Sequence, residues 1–218
     1  MDKINLPDGY DSLLLHSCCA PCSGDIMLRL KKSGIKYTIY FYNPNIHPRK
    51  EYILRKNENL EFAKKYNIPF IDDDYDTGNW FKKTKGLEWE PERGKRCTSC
   101  FDMRFYKTAE YAFKNNFKLI SSTLGISRWK DFNQINKSGL DAASQFNNIK
   151  YWTYNWRKNK GSENMLKVSK EEEFYMQEYC GCIYSLRDTN IWRYQNNRSD
   201  IEIGIKYYSQ SNKNPRKS

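Results

Sequence analysis

Short apolar runs alternate along this chain with longer segments whose apolar residues recur at helical spacing. Residues 12–16, ending in "LLLH", have the length and bulk of a buried strand. "KYTIYFY" (36–42) is a second, rich in β-branched and aromatic side chains, and "IPFI" (68–71), "FKLISST" (117–123) and "KYWTYN" (150–155) continue the series. Between the first two, 24–34 reads as a helix with Ile26 and Leu30 on one face, Lys31 and Lys32 in its last turn and Gly34 as its stop. Pro48 suits the first turn of a helix running to about Tyr66, with Ile53, Leu60 and Ala63 on its core face. A further helix carries Phe101, Phe105, Ala109 and Phe113 at spacing four, and 132–147 forms another. The last predicted helix covers about Ser169 to Tyr179, with Ser169 as its cap and Glu171 to Glu173 in its first turn.

Strands alternating with helices of ten or more residues indicate parallel βαβ units, hence an α/β fold with a Rossmann-like parallel sheet flanked by helices. The alternation breaks at 72–96, an irregular stretch long enough to be a functional excursion. Residues 1–204 are expected to form one domain, and 205–218 a basic, disordered tail ending in "SQSNKNPRKS". There is no internal repeat.

Charge narrows the partners. The 218 residues hold 37 Lys and Arg against 26 Asp and Glu, a formal net charge of +11, which favours a polyanion, nucleic acid before an acidic membrane surface. A solvated basic surface would look the same. The 17 Tyr and 6 Trp add aromatic faces on which unpaired bases stack. No apolar run approaches the roughly 18 residues a membrane-spanning helix needs, and the N-terminal residues do not read as a signal peptide. The expected compartment is the cytoplasm, where thiols stay reduced and structural disulfides are rare.

Against that background the cysteines stand out. All seven fall in three clusters: Cys18, Cys19 and Cys22; Cys97 and Cys100; Cys180 and Cys182. None sits alone at a periodic apolar position, as a packing cysteine would. Adjacent or next-adjacent pairs close only into strained rings, more useful as redox couples than as staples. Two nearby thiolate pairs are a metal site, with zinc and iron–sulfur both open. The first cluster follows a strand and leads into a helix start, at the carboxyl edge where open α/β sheets bind ligands. A helix start also favours thiolate over thiol. Adjacent cysteines suit a multi-iron cluster better than a zinc ribbon, so iron–sulfur is favoured.

Five stretches, "HSCCAPCS", "FYNPNIHPRKEY", "PERGKRCTSCFDMR", "STLGISRWKDFNQIN" and "EYCGCIYS", occur in an order and spacing that resemble the epoxyqueuosine reductase QueH family, over about Leu13 to Ser185. The resemblance implies a HUP/PP-loop-like fold with a cysteine-bound iron–sulfur site at the carboxyl edge of the strands. It implies reduction of epoxyqueuosine to queuosine at the wobble position of tRNAs with GUN anticodons, a two-electron removal of the epoxide oxygen. Cys18, Cys19, Cys97 and Cys100 would hold a [4Fe–4S] cluster, and Cys180 and Cys182 would be a redox-active disulfide pair. Members of the family carry Cys or Asp at the position of Cys22, an exchange that suits an additional mononuclear iron. The electron donor is external and not specified by the sequence. For the proton donor, His16, His47, Tyr42 and Asp102 lie in or near the motifs.

The RNA partner would be the anticodon stem–loop, with Arg157, Lys158 and Lys160 in "YWTYNWRKNK" and Trp129 in "SRWKD" as contacts. Ser162 and Asn164 depart from the family pattern, which has a Tyr and a basic residue there, as does Gly125, where Thr is common. The rival expectation is a zinc-stabilised RNA-binding module without redox chemistry. An ATP-using tRNA-modifying enzyme is disfavoured, because neither an SGGxDS-like loop nor GxxxxGK[ST] is present.

Overall fold

A computed structural model describes residues 3–204, so the tail expected at 205–218 lies outside the described residues. Five parallel strands, β1 (Ser12–His16), β2 (Lys36–Phe41), β3 (Phe70–Asp72), β4 (Leu119–Ser122) and β5 (Lys150–Tyr151), form one sheet in the order β3-β2-β1-β4-β5. Ser12 pairs with Lys36 and His16 with Tyr40 on one side of β1, and His16 pairs with Ser122 on the other. The chain winds outward from β1 to β3, then restarts at β4. The strand order therefore reverses between β1 and β4, which opens a crevice at their carboxyl ends.

β1 is central, and Leu13, Leu14 and Leu15 are wholly buried because both faces of the sheet are covered. Leu13 and Leu15 point into a core with Ile26, Met27, Leu30, Phe62, Val168 and Trp156, under α1 (Ala20–Lys32), α2 (Arg49–Lys65) and α6 (Gly161–Glu171). Leu14 points into the opposite core with Phe101, Phe105, Ala109 and Ile135, under α4 (Lys95–Lys114) and α5 (Phe132–Ala143). The other α-helices among the described residues are α3 (Thr77–Thr84) and α7 (Ile183–Gln195).

β1, β2, β4, α4 and α5 follow the apolar pattern, whereas the fifth strand stops at Tyr151 rather than running to Asn155, the third covers Phe70–Asp72 rather than 68–71, and several other expectations are corrected. α1 begins at Ala20 rather than at Gly24, with Cys19 as its cap, so Cys22 lies in its first turn. α2 does not present Ile53 to the core: Ile53 is exposed, and the buried face carries Glu51, Tyr52, Arg55, Asn59 and Phe62. Phe113 on α4 is exposed too, packing against Phe146 at 5.7 Å. The irregular stretch contains α3, capped by the Asp76 carboxylate accepting from the Asn79 N–H at 3.0 Å. No helix starts at Ser169. That residue lies in the last turns of α6, where its hydroxyl donates to the Met165 carbonyl at 2.7 Å, and the chain leaves the helix through Glu173 at φ +55°. Among the described residues no helix is long and apolar enough to cross a membrane.

Candidate functional site

The crevice at the strand switch is filled by cysteines from three parts of the chain. Beyond β1, the Asn43 side-chain amide donates to the Ser17 carbonyl at 2.8 Å and that of Asn59 to the Ser17 hydroxyl at 2.6 Å, which sets the start of the cysteine run. Cys18, Cys19 and Cys22 then place their sulfurs within 4.8 Å of one another at the N-terminus of α1, an arrangement that can hold a metal ion. The Cys18 and Cys19 Sγ atoms are 3.5 Å apart. Cys97 and Cys100 enter on the first turns of α4. Cys180 and Cys182 come from the turn before α7, where Cys182 is the helix cap and its sulfur accepts from the Ser185 N–H at 3.3 Å. Gly181 between them adopts φ +122°, a conformation that favours glycine, and a Cβ there would lie a tight 3.1 Å from the Arg55 guanidinium. All seven cysteines are free thiols.

Cys18, Cys19, Cys22, Cys97 and Cys180 line one cavity of about 780 Å³. Cys100 and Cys182 are buried in the same side-chain cluster as Cys18 and Cys19. Within the first group charge is unequally shared. Hydrogen bonds from the Cys19 and Cys22 thiols hold Cys18 well below the usual thiol range. The same bonds push Cys19 up and Cys22 to about 12. Burial raises Cys97 to about 12 and also raises Cys100 and Cys182. Without a metal, then, one thiolate at Cys18 is favoured, while Cys19, Cys22, Cys97, Cys100 and Cys182 are pushed towards the thiol.

Cations face these sulfurs. Arg104, one helical turn after Cys100, is 2% exposed, and its Nη2 donates to Asn43 Oδ1 at 2.6 Å. Its Nε, the Trp80 indole Nε1 and the Arg96 Nε are buried donors with no hydrogen-bond partner. Trp80 and Arg104 both stand close enough to Cys100 to lower its pKa against the effect of burial. Lys130 reaches in from the opposite loop. Burial lowers its pKa, but Cys180, Cys18, Cys22 and Cys19 together outweigh that and raise it. The loop is held from both sides: Arg93 donates to the Trp129 and Arg128 carbonyls at 3.0 and 3.3 Å. Arg157 donates to the carbonyls of Gly125 at 2.8 Å, Ser127 at 2.5 Å and Lys130 at 3.0 Å.

The sequence-derived candidates therefore separate. The three cysteine clusters come together. Trp129 lines the cavity and is 80% exposed, and Lys158 and Lys160 are exposed. Arg157 is half-buried and bonded to its own protein's backbone. Ser162 lines the cavity, whereas Asn164 does not. None of His16, His47, Tyr42 and Asp102 lines it. His16 Nε2 donates to the Tyr42 carbonyl at 3.3 Å and its Nδ1 accepts from the Ser122 hydroxyl at 3.0 Å; burial, with help from Arg104, depresses its pKa to about 3. It is a neutral structural histidine. Burial also lowers His47, and Tyr42 and Asp102 line a separate cavity of about 570 Å³.

Residue-by-residue reading missed Arg55, Glu92, Arg104 and Lys130. Arg104 had a signal in the i, i+4 spacing from Cys100, which places both on one helical face. The others arrive through loops or from a face of α2 that no apolar pattern marks.

The family model described as Epoxyqueuosine reductase QueH matches residues 13–188. Epoxyqueuosine reductase QueH of Haemophilus influenzae is 64% identical over 208 residues, 95% of this chain and 85% of that one. The protein of the same name from Acinetobacter baylyi is 64% identical over 209 residues, 96% of each chain. A solved structure titled as a predicted subunit of tRNA methyltransferase from Methanocaldococcus jannaschii superposes with a TM-score of 0.48 at 11% identity, over 86% of this chain and 90% of that one. The five motifs, the parallel sheet and the gathered thiols thus agree with the match in sequence, and the chain belongs to the epoxyqueuosine reductase QueH family.

Proposed function

We propose that this protein reduces epoxyqueuosine to queuosine at the wobble position of tRNAs with GUN anticodons, in the cytoplasm. In the balanced reaction both epoxide C–O bonds break, a C=C bond forms, and the oxygen leaves as water with two electrons and two protons. The electrons come singly from an external one-electron carrier. The observation that carries this reading is the convergence of all seven free thiols around one cavity open to solvent, among buried N–H donors that lack acceptors.

The donor set fits a [4Fe–4S] cluster. Buried cations persist only when paired, and the unpartnered Trp80 Nε1 and Arg104 Nε donors suit a strongly anionic group bound to the thiolates. Cys18, Cys19, Cys97 and Cys100 would hold it, and Cys22, whose sulfur lies within 4.8 Å of Cys18 and Cys19, would serve an additional mononuclear iron. When bound, such centres supply electrons singly and offer a Lewis-acid position for the epoxide oxygen. The chain's own residues do the rest. Cys180 lines the cavity beside buried Cys182, and the pair would cycle between dithiol and disulfide. Lys130 presents an ammonium to the reaction space. Trp129 offers a stacking face at its mouth for a wobble nucleotide turned out of the anticodon loop. Lys158 and Lys160 would contact phosphates, while Arg157 holds the loop that carries Trp129.

The test is anaerobic reconstitution with iron and sulfide, metal analysis, and mass analysis of nucleosides from epoxyqueuosine-containing tRNA under strong reductant. The expected result is iron rather than zinc and loss of one oxygen from the wobble nucleoside, with less iron per chain in Cys22→Ala. A fully loaded protein that removes no oxygen would overturn the assignment.

A further inference from the structure

Four carboxylates line the thiol cavity: Glu92, Asp131, Glu178 and Asp188. Three are committed within the protein. Asp131 caps α5, accepting from the Gln134 N–H at 2.9 Å. Glu178 pairs with Arg193 at 2.7 Å. Asp188 pairs with Arg187 at 2.7 Å and with Arg96 at 3.7 Å. Glu92 has no cation within ion-pair distance among the described residues. Its one hydrogen bond among the described residues is from the Ser185 hydroxyl to Oε1, at 2.6 Å.

The same Ser185 hydroxyl accepts from the Cys180 N–H at 3.2 Å, so Ser185 links Glu92 to the backbone of Cys180. Glu92 also lies just before the N-terminus of α4, where the helix dipole favours negative charge. Glu92 is an exposed carboxylate on the cavity wall, anchored one hydrogen-bonded residue from Cys180, with a second oxygen that bonds to no protein group among the described residues. Such a group recognises a cation.

We propose that Glu92 binds the protonated secondary amine of epoxyqueuosine, an inference that rests on the reduction reading above. In that nucleoside the amine joins the deazaguanine to the carbocycle at the carbon next to the epoxide. Binding it at Glu92 holds the modified nucleoside in the cavity that Cys180 lines. An unmodified wobble guanine has no such amine. The product keeps the amine, so the contact is uniform binding: it acts on KM and on discrimination between tRNAs, not on kcat.

The experiment compares wild type, Glu92→Gln and Glu92→Asp, all loaded with iron, for binding and reduction of two tRNAs that differ only in carrying epoxyqueuosine or guanine at the wobble position. Wild type is expected to prefer the modified tRNA. Glu92→Gln should lose about tenfold in affinity for it, as expected for one charge-assisted contact, and raise KM with kcat retained. Its binding of the guanine tRNA should not change, and Glu92→Asp should recover part of the preference. Equal loss for both tRNAs, or no loss, in an enzyme that still removes the oxygen overturns the role of Glu92 alone. A wild-type protein that neither removes the oxygen nor distinguishes the tRNAs overturns both readings.

Discussion

Arg55 and Arg104 are both 2% exposed, yet they are balanced in different ways. Arg55 pairs with Glu51 at 2.7 Å and donates to the Tyr179 and Cys180 carbonyls at 3.2 and 3.1 Å, while Tyr175 donates to the other Glu51 oxygen at 2.9 Å. This network seats the "CGC" turn on α2. Replacing one member of a buried pair strands its partner, so Arg55→Met should destabilise the metal-free protein by about 3–5 kcal/mol. Arg104 has no carboxylate partner among the described residues, and its counter-charge is on the thiols. Arg104→Met should therefore change metal-free stability by less, and instead lower the iron retained after reconstitution. Denaturant unfolding of the metal-free variants, with iron per chain, separates the two. An equal loss of stability in both would show that Arg104 is balanced within the protein after all.

At the scale of elements, what could be read beforehand depended on what each element buries. β1, β2, β4, α4 and α5 bury apolar faces and declare themselves by period. α2 buries Glu51, Arg55 and Asn59 against the site, so its true face reads as polar and Ile53 misleads. Among its residues α7 buries only Ser185, which leaves no stripe to find. The three cysteine clusters were legible because their close spacing is not that of packing cysteines at periodic apolar positions. Lys130 and Glu92 were not, because their meaning depends on what faces them in three dimensions, and Arg104 showed only its helical spacing from Cys100. α1 shows the same effect at Asp25, which is 1% exposed, with both oxygens unbonded and Arg29 3.7 Å away. Burial, partly opposed by Arg29, raises its pKa to about 6. The folded state thus holds this proton more tightly than the unfolded chain does. Stability from protonated Asp25 is complete below about pH 4 and is lost as pH rises through about 6. Asp25→Asn should gain on wild type by about 2 kcal/mol between those limits, measured as the difference in unfolding free energy across pH. A difference flat in pH would mean that Asp25 titrates alike in both states.

For the molecule as a whole, the net charge of +11 argues for a polyanionic partner without locating it, and the basic residues of 157–160 differ in exposure. Lys158 and Lys160 are exposed, whereas the Arg157 guanidinium is held by the carbonyls of Gly125, Ser127 and Lys130 and lies 5.9 Å from the centre of the Phe132 ring. In the sequence all three belong to one basic patch, because charge and proximity along the chain cannot reveal that a side chain has turned inward. Salt dependence can. Neutralising one phosphate-binding cation takes roughly 0.7–0.9 off the slope of log K against log salt. Lys158→Gln with Lys160→Gln should flatten the slope for tRNA by up to about 1.5 while leaving the cavity intact. Arg157→Gln should leave that slope unchanged. It should instead weaken binding at every salt concentration, because the loop carrying Trp129 and Lys130 loses three of its anchors. A salt slope that falls in Arg157→Gln as it does in the lysine pair would mean that its guanidinium leaves those carbonyls for a phosphate when RNA binds.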